Sequence, residues 1–196
     1  MSSLRDDLLS QMQSMEVVDC HSHAMLKRDY YAQGPYDLFS MTAYFQREIA
    51  GIASHLPGPC GDVSAPEADR WAHLREILRH TRNMSYWRHN LVTYRALFGL
   101  EDEELTDANW QAVNDRIKTQ TADPGWYHEV TVERANVQTQ VRNIPWFEDW
   151  EPEYFTAILR MEPALDTYRP ETRERLQQQT GREVRSLVTC AKPWPN

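Results

Sequence analysis

Two histidines separated by one residue, His21 and His23, follow the short apolar run Val17-Val18. If that run is a β-strand, alternate side chains share a face, so both imidazoles leave one strand end on the same side and their ring nitrogens can converge on one ion. Neutral imidazole suits zinc, manganese or iron, and the chemistry to expect of the pair is metal ligation. Zinc is the foremost expectation. Asp19 lies two residues before His21 on the same face, a full pleat below the pair. Cys20 alternates to the other face, where a helix layer is expected to cover it.

The elements that must position this pair can be read coarsely. Leu4, Leu8, Met12 and Met15 recur at helical spacing and predict a helix over 3–14 leading into the first strand. A polar and aromatic loop, 27–35, follows the histidines and carries Arg28, Tyr30 and Tyr31. Leu38, Met41, Phe45, Ile49 and Ile52 predict a helix over 37–51 capped by Asp37. The proline- and glycine-rich stretch 53–66, with Cys60 inside it, reads as a flexible loop or lid. Trp71, Leu74 and Leu78 mark the next helix, and another spans 84–98 with Gly99 as its stop.

Further on, Thr106 caps a helix holding Trp110, Val113 and Ile117, and Asp123-Pro124-Gly125 opens one reaching Arg134. The alternating run 136–143 predicts a second strand, 155–161 a third, with a loop over 162–168 and then a helix from Pro170 to Gly181. Strands separated by helical segments predict a parallel sheet. Arg142, Arg160 and Glu162 then fall near strand ends, on the side of the histidines. Arg28, Arg142 and Arg160 are the candidate substrate contacts, because a guanidinium grips a carboxylate with two parallel donors.

The stretch Val17-Val18-Asp19-Cys20-His21-Ser22-His23-Ala24-Met25 resembles the first-strand signature of the amidohydrolase superfamily, metal-dependent hydrolases built on a (β/α)8 barrel. The helical, Trp- and Tyr-rich segment after it is similar to the amidohydrolase-related and uronate-isomerase-like branch. The resemblance implies that His21 and His23 bind the first metal. It also implies hydrolysis of an amide, ester or similar bond of a small carboxylated molecule or, in the alternative, isomerisation of a sugar acid.

A (β/α)8 barrel takes about 250 residues, whereas this chain has 196 and offers three strands. The expected fold class is therefore α/β, an incomplete (β/α)8 TIM barrel with a long helical insertion after the first strand, at about 36–135. Residues 1–196 would be the N-terminal portion of one amidohydrolase-like domain, and the family's remaining metal ligands have no positions here. Little or no activity is expected from two histidines alone. A different class of reading is a non-enzymatic helical interaction module, since Trp and Tyr are enriched at interfaces.

A net charge of −8 disfavours binding to a phosphate backbone, so nucleic acid is not an expected partner. No apolar run approaches the length of a membrane span, and the first twenty residues carry acidic side chains instead of a secretory leader, which points to the cytoplasm. Cys20, Cys60 and Cys190 are odd in number and widely spaced, so free thiols are expected. An unclosed sheet leaves an open edge, and self-association to a homo-oligomer is a further expectation.

Overall fold

The computed structural model describes residues 3–144, 149–160 and 162–185. Trp146, Phe147, Cys190 and the proline-containing stretch 190–196 lie outside the described residues. The chain divides into two compact units, 1–28 with 128–196, and 29–127.

The first unit is built on three strands. Helix α1 (Leu4–Gln13) starts at Ser3, whose hydroxyl accepts the Asp6 N–H while the Asp6 carboxylate accepts the Ser3 N–H, a reciprocal cap. It buries none of its residues. Strand β1 (Val17–Ser22) pairs in parallel with β2 (Val137–Ile144), which pairs in parallel with β3 (Phe155–Leu159), giving the order β1-β2-β3. Two short links set the start of β1: its Val17 N–H donates to the Asn136 carbonyl, and the Asn136 amide donates to Met15 O. Asn136 takes a positive φ of 51°, which its short polar side chain tolerates.

This sheet corrects the barrel expectation. What forms is a mixed α/β arrangement with an open three-stranded parallel sheet, not an incomplete (β/α)8 barrel. A barrel needs a helix returning over the sheet after every strand. Here 145–154 joins β2 to β3, and its described part, 149–154, holds turns and no helix. The sheet surface shows the consequence: Val18 is 54% exposed and Ile158 is 50% exposed. Cys20 is exposed as well, so the helix layer expected against it is not there among the described residues.

Several local expectations are also corrected. Residues expected as a loop after the histidines form helix α2 (Lys27–Gln33). The single helix expected over 37–51 is a tight turn, a 3-10 turn (Ala43–Phe45) and helix α3 (Gln46–Ala53). Asp37 explains the break, because its Oδ1 takes the N–H groups of Phe39 and Ser40 and offers the backbone an alternative to the helix.

The second unit is helical: α3 is followed by α4 (Glu67–Thr81), α5 (Ser85–Phe98) and α6 (Trp110–Thr121). Its core holds Phe45, Leu74, Ile77, Trp87, Leu91, Phe98 and Ile117, each fully buried. Trp71 and Trp110 stack at 5.4 Å and 8°, and Trp71 Nε1 donates to Asp107 at 2.7 Å. Trp71, Trp87, Trp110 and Trp126 are thus spent on packing. In the aromatic and basic segment 82–90, Trp87 and Asn90 face the core and Arg88 pairs with Glu104 at 2.6 Å.

Helix α5 stops at Gly99, with φ of 63°, where a Cβ would also run into the Arg116 guanidinium that donates to the Gly99 carbonyl. Gly99→Ala is expected to cost about 1–3 kcal/mol, read as a lower urea midpoint. An unchanged midpoint would remove this account of the stop.

After the short helix α7 (Trp126–His128) comes a π-helical turn, Glu129–Arg134, in place of a continuous helix. Past β3, the expected loop contains one helical turn, α8 (Glu162–Leu165), before helix α9 (Pro170–Thr180) ends at Gly181 with φ of 68°. No helix among the described residues is long and apolar enough to cross a membrane.

Candidate metal centre

The carboxyl end of β1 is fixed by the residue between the two histidines. Ser22 is buried, donates its hydroxyl to Gln140 Oε1 at 2.9 Å and accepts the Ala24 N–H at 3.0 Å. Arg142, in register with Ser22, donates Nη1 to the Ala24 carbonyl at 2.7 Å. Both sides of His23 are therefore tied down, one to β2 through Ser22 and the other through Ala24.

The two imidazoles are exposed and approach edge to face, with ring centroids 4.8 Å apart and planes at 77°. Their Nε2 atoms are 3.0 Å apart. An ion bonded to both at the zinc–nitrogen distance of about 2.0–2.1 Å would subtend an angle of about 95°, short of the tetrahedral value but within the reach of a small ring rotation. Zinc fits the pair as two ligands.

Among the described residues no third ligand joins them, and there is no group of three or more His, Cys, Asp or Glu side chains able to hold a metal. Asp19 turns its Oδ1 to the His21 N–H at 3.1 Å, spending it on its own strand. The simple alternation that placed Asp19 on the face of the pair also fails: from Asp19 to Ser22, β1 advances three residues while β2 advances two, from Gln140 to Arg142. That is a bulge, which re-aims the side chains beyond it.

Each of the three arginines has an intramolecular partner. Arg28 gives Nη1 to the Asp149 carboxylate at 2.7 Å and Nη2 to the Asp149 carbonyl. Arg160 donates to Glu162 at 2.7 Å, and that hydrogen bond holds the Glu162 carboxyl below the usual carboxylate range. Arg142, besides its bond to Ala24, stands over the Phe155 ring at 5.6 Å and buries an Nε that has no partner among the described residues.

Sequence reasoning missed a polar group in the same unit. The Glu151 carboxylate accepts the N–H groups of Lys27 and Arg28 at the first turn of α2, where negative charge is favoured. Tyr154, 3% exposed, receives Lys27 Nζ at 3.2 Å and meets His128 Nδ1 at 3.2 Å. Glu151 and Tyr154 lie 123 or more positions from Lys27 and Arg28, so no local pattern announces these bonds. Compared with known proteins, the chain matches no family model and no curated protein, and the function must be inferred from this geometry.

Proposed function

We propose that His21 and His23 supply two ligands of a divalent metal centre, zinc foremost with manganese or iron as substitutes, serving hydrolysis of an amide, ester or similar bond in a small carboxylated molecule. The observation that supports this reading is the 3.0 Å separation of the two Nε2 atoms at the end of a strand. His21 and His23 would hold the metal, which when bound would supply Lewis acidity to acidify a water and polarise the bond to be broken. A hydrolytic zinc site uses three protein ligands, so the remainder come from outside the described residues.

The protein's own groups have distinct parts in this reading. Ser22 and Arg142 are positioning residues, since they hold the backbone that carries His23. Arg28 and Arg160 are the contacts for a substrate carboxylate. Each side chain is about half exposed and paired with an equally accessible acid, and such pairs are worth about 0–1 kcal/mol. Exchanging that acid for a substrate carboxylate therefore costs little. The expected setting is cytoplasmic.

Calorimetric zinc titration of the full chain tests the reading. Weak, saturable binding is expected, reduced in His21→Ala and in His23→Ala and lost in the double variant. Arg142→Met should weaken it about tenfold by loosening the support behind His23. Zinc affinity that survives in the double variant would overturn the assignment.

A further inference from the structure

We propose that the helical unit carries a second, metal-independent ligand site, a cleft between α3, the loop 54–66 and α4 that takes a small monocarboxylate with an apolar body. The cleft encloses about 690 Å³, within the range of small-molecule pockets. Its space comes from small side chains, Ala50 and Ala53 on α3 and Gly58 and Gly61 on the loop, and its apolar wall includes Phe39 and Ile49.

The chemistry in the wall belongs to Arg70, which is 4% exposed. Its Nε donates to the Cys60 carbonyl at 3.1 Å, its Nη1 donates to Asp37 Oδ2 at 2.7 Å, and the Phe39 ring covers its face at 4.2 Å. Among the described residues, these bonds leave Nη2 without an acceptor. Nη2 is not sealed from solvent, and an oxygen that meets it gains a hydrogen bond to a cation. A carboxylate does so better than a neutral carbonyl, because charge-assisted bonds to a guanidinium are about twice as strong. Asp37 already balances the Arg70 charge and Asp62 also lines the cleft, so a polyanion is not admitted and any carboxylate must be held by the hydrogen bond to Nη2 and by its apolar body.

The other polar groups of the wall do not compete for that oxygen. His73 accepts the Cys60 N–H on Nδ1 at 2.9 Å and places Nε2 2.8 Å from the Leu56 carbonyl, which uses both ring nitrogens. Asp62 Oδ1 receives the backbone and hydroxyl of Ser64. Burial pushes the Cys60 thiol up to about 11, so it stays protonated at neutral pH and is no nucleophile. The cleft is arranged to bind, not to react.

The test uses the full chain in chelator-containing buffer, titrated with 4-phenylbutyrate and with 4-methylpentanoate by calorimetry. Saturable binding of at least one acid is expected, with the matching alcohol about tenfold weaker or worse. Ala50→Trp fills the cleft from an exposed helix position, leaves Asp37 and Arg70 in place and should abolish binding; Gln46→Trp on the same wall serves if the first variant does not fold. Absence of binding by both acids up to about 10 mM, equal binding of acid and alcohol, or binding undiminished in the filled variant would overturn the proposal. No residue of β1 lines the cleft, and the buffer removes metal. Failure here is therefore separable from failure of the metal centre.

Discussion

Asp37→Ala is expected to destabilise the chain by about 3–5 kcal/mol. The Asp37–Arg70 pair is largely withdrawn from solvent, with side chains 18% and 5% exposed and oxygen and nitrogen 2.7 Å apart. Removing the carboxylate leaves a mostly buried guanidinium without its counter-charge, and it also releases the N–H groups of Phe39 and Ser40. Asp37→Leu combined with Arg70→Met should recover most of the loss, because an apolar pair of similar volume has no charge to desolvate. Urea unfolding of the single and double variants decides this, and equal losses in the two would contradict it.

The same carboxyl links stability to pH. Burial raises its pKa, but hydrogen bonds from Ser40 and Arg70 together outweigh burial and hold it below the ordinary 3.8. The folded state therefore binds this proton less readily than the unfolded one. Its contribution is complete above the unfolded value and declines as pH falls below about 4 towards the folded one. Asp37→Asn should flatten that part of the acid profile.

The next largest effect is expected at Gly58, where Gly58→Ala should cost about 2–4 kcal/mol. A Cβ there would stand 2.6 Å from two carbons of the His73 ring and 2.8 Å from its Nε2. The ring cannot swing aside without giving up Cys60 N–H and Leu56 O, two of the bonds that fasten the loop 54–66 to α4. In a His73→Ala background the same substitution should cost far less, since the obstacle is gone. Equal costs in the two backgrounds would show that the clash is relieved by backbone movement and that the clamp is not the source.

What could be read from the chain in advance was local. Val17–Ser22 forms a strand as its β-prone start predicts, and the two imidazoles at its end lie together. Gly99 and Gly181 end helices for reasons contained in their own backbones. What could not be read depends on distant residues: α2 is capped by Glu151, and Arg70 finds Asp37 across 33 positions. The bulge in β1 exists only in its pairing with β2, so no alternation within β1 discloses it. The barrel expectation failed for a related reason. A strand signature specifies a strand, while closure depends on helices returning over the sheet, and between β2 and β3 the described residues provide none.

The sheet order leaves β1 hydrogen-bonded along one side only among the described residues. Beyond the ties through Ser22 and Arg142, the end that carries the imidazoles has no ladder on its other flank among the described residues, and an ion captured there would have to overcome the conformational freedom that remains. Whatever pairs with the vacant side of β1 would preorganise the ligands and tighten metal capture without touching the metal. By reciprocity, the ion would strengthen that pairing by the same factor, making the bare flank of β1 a thermodynamic input to the site.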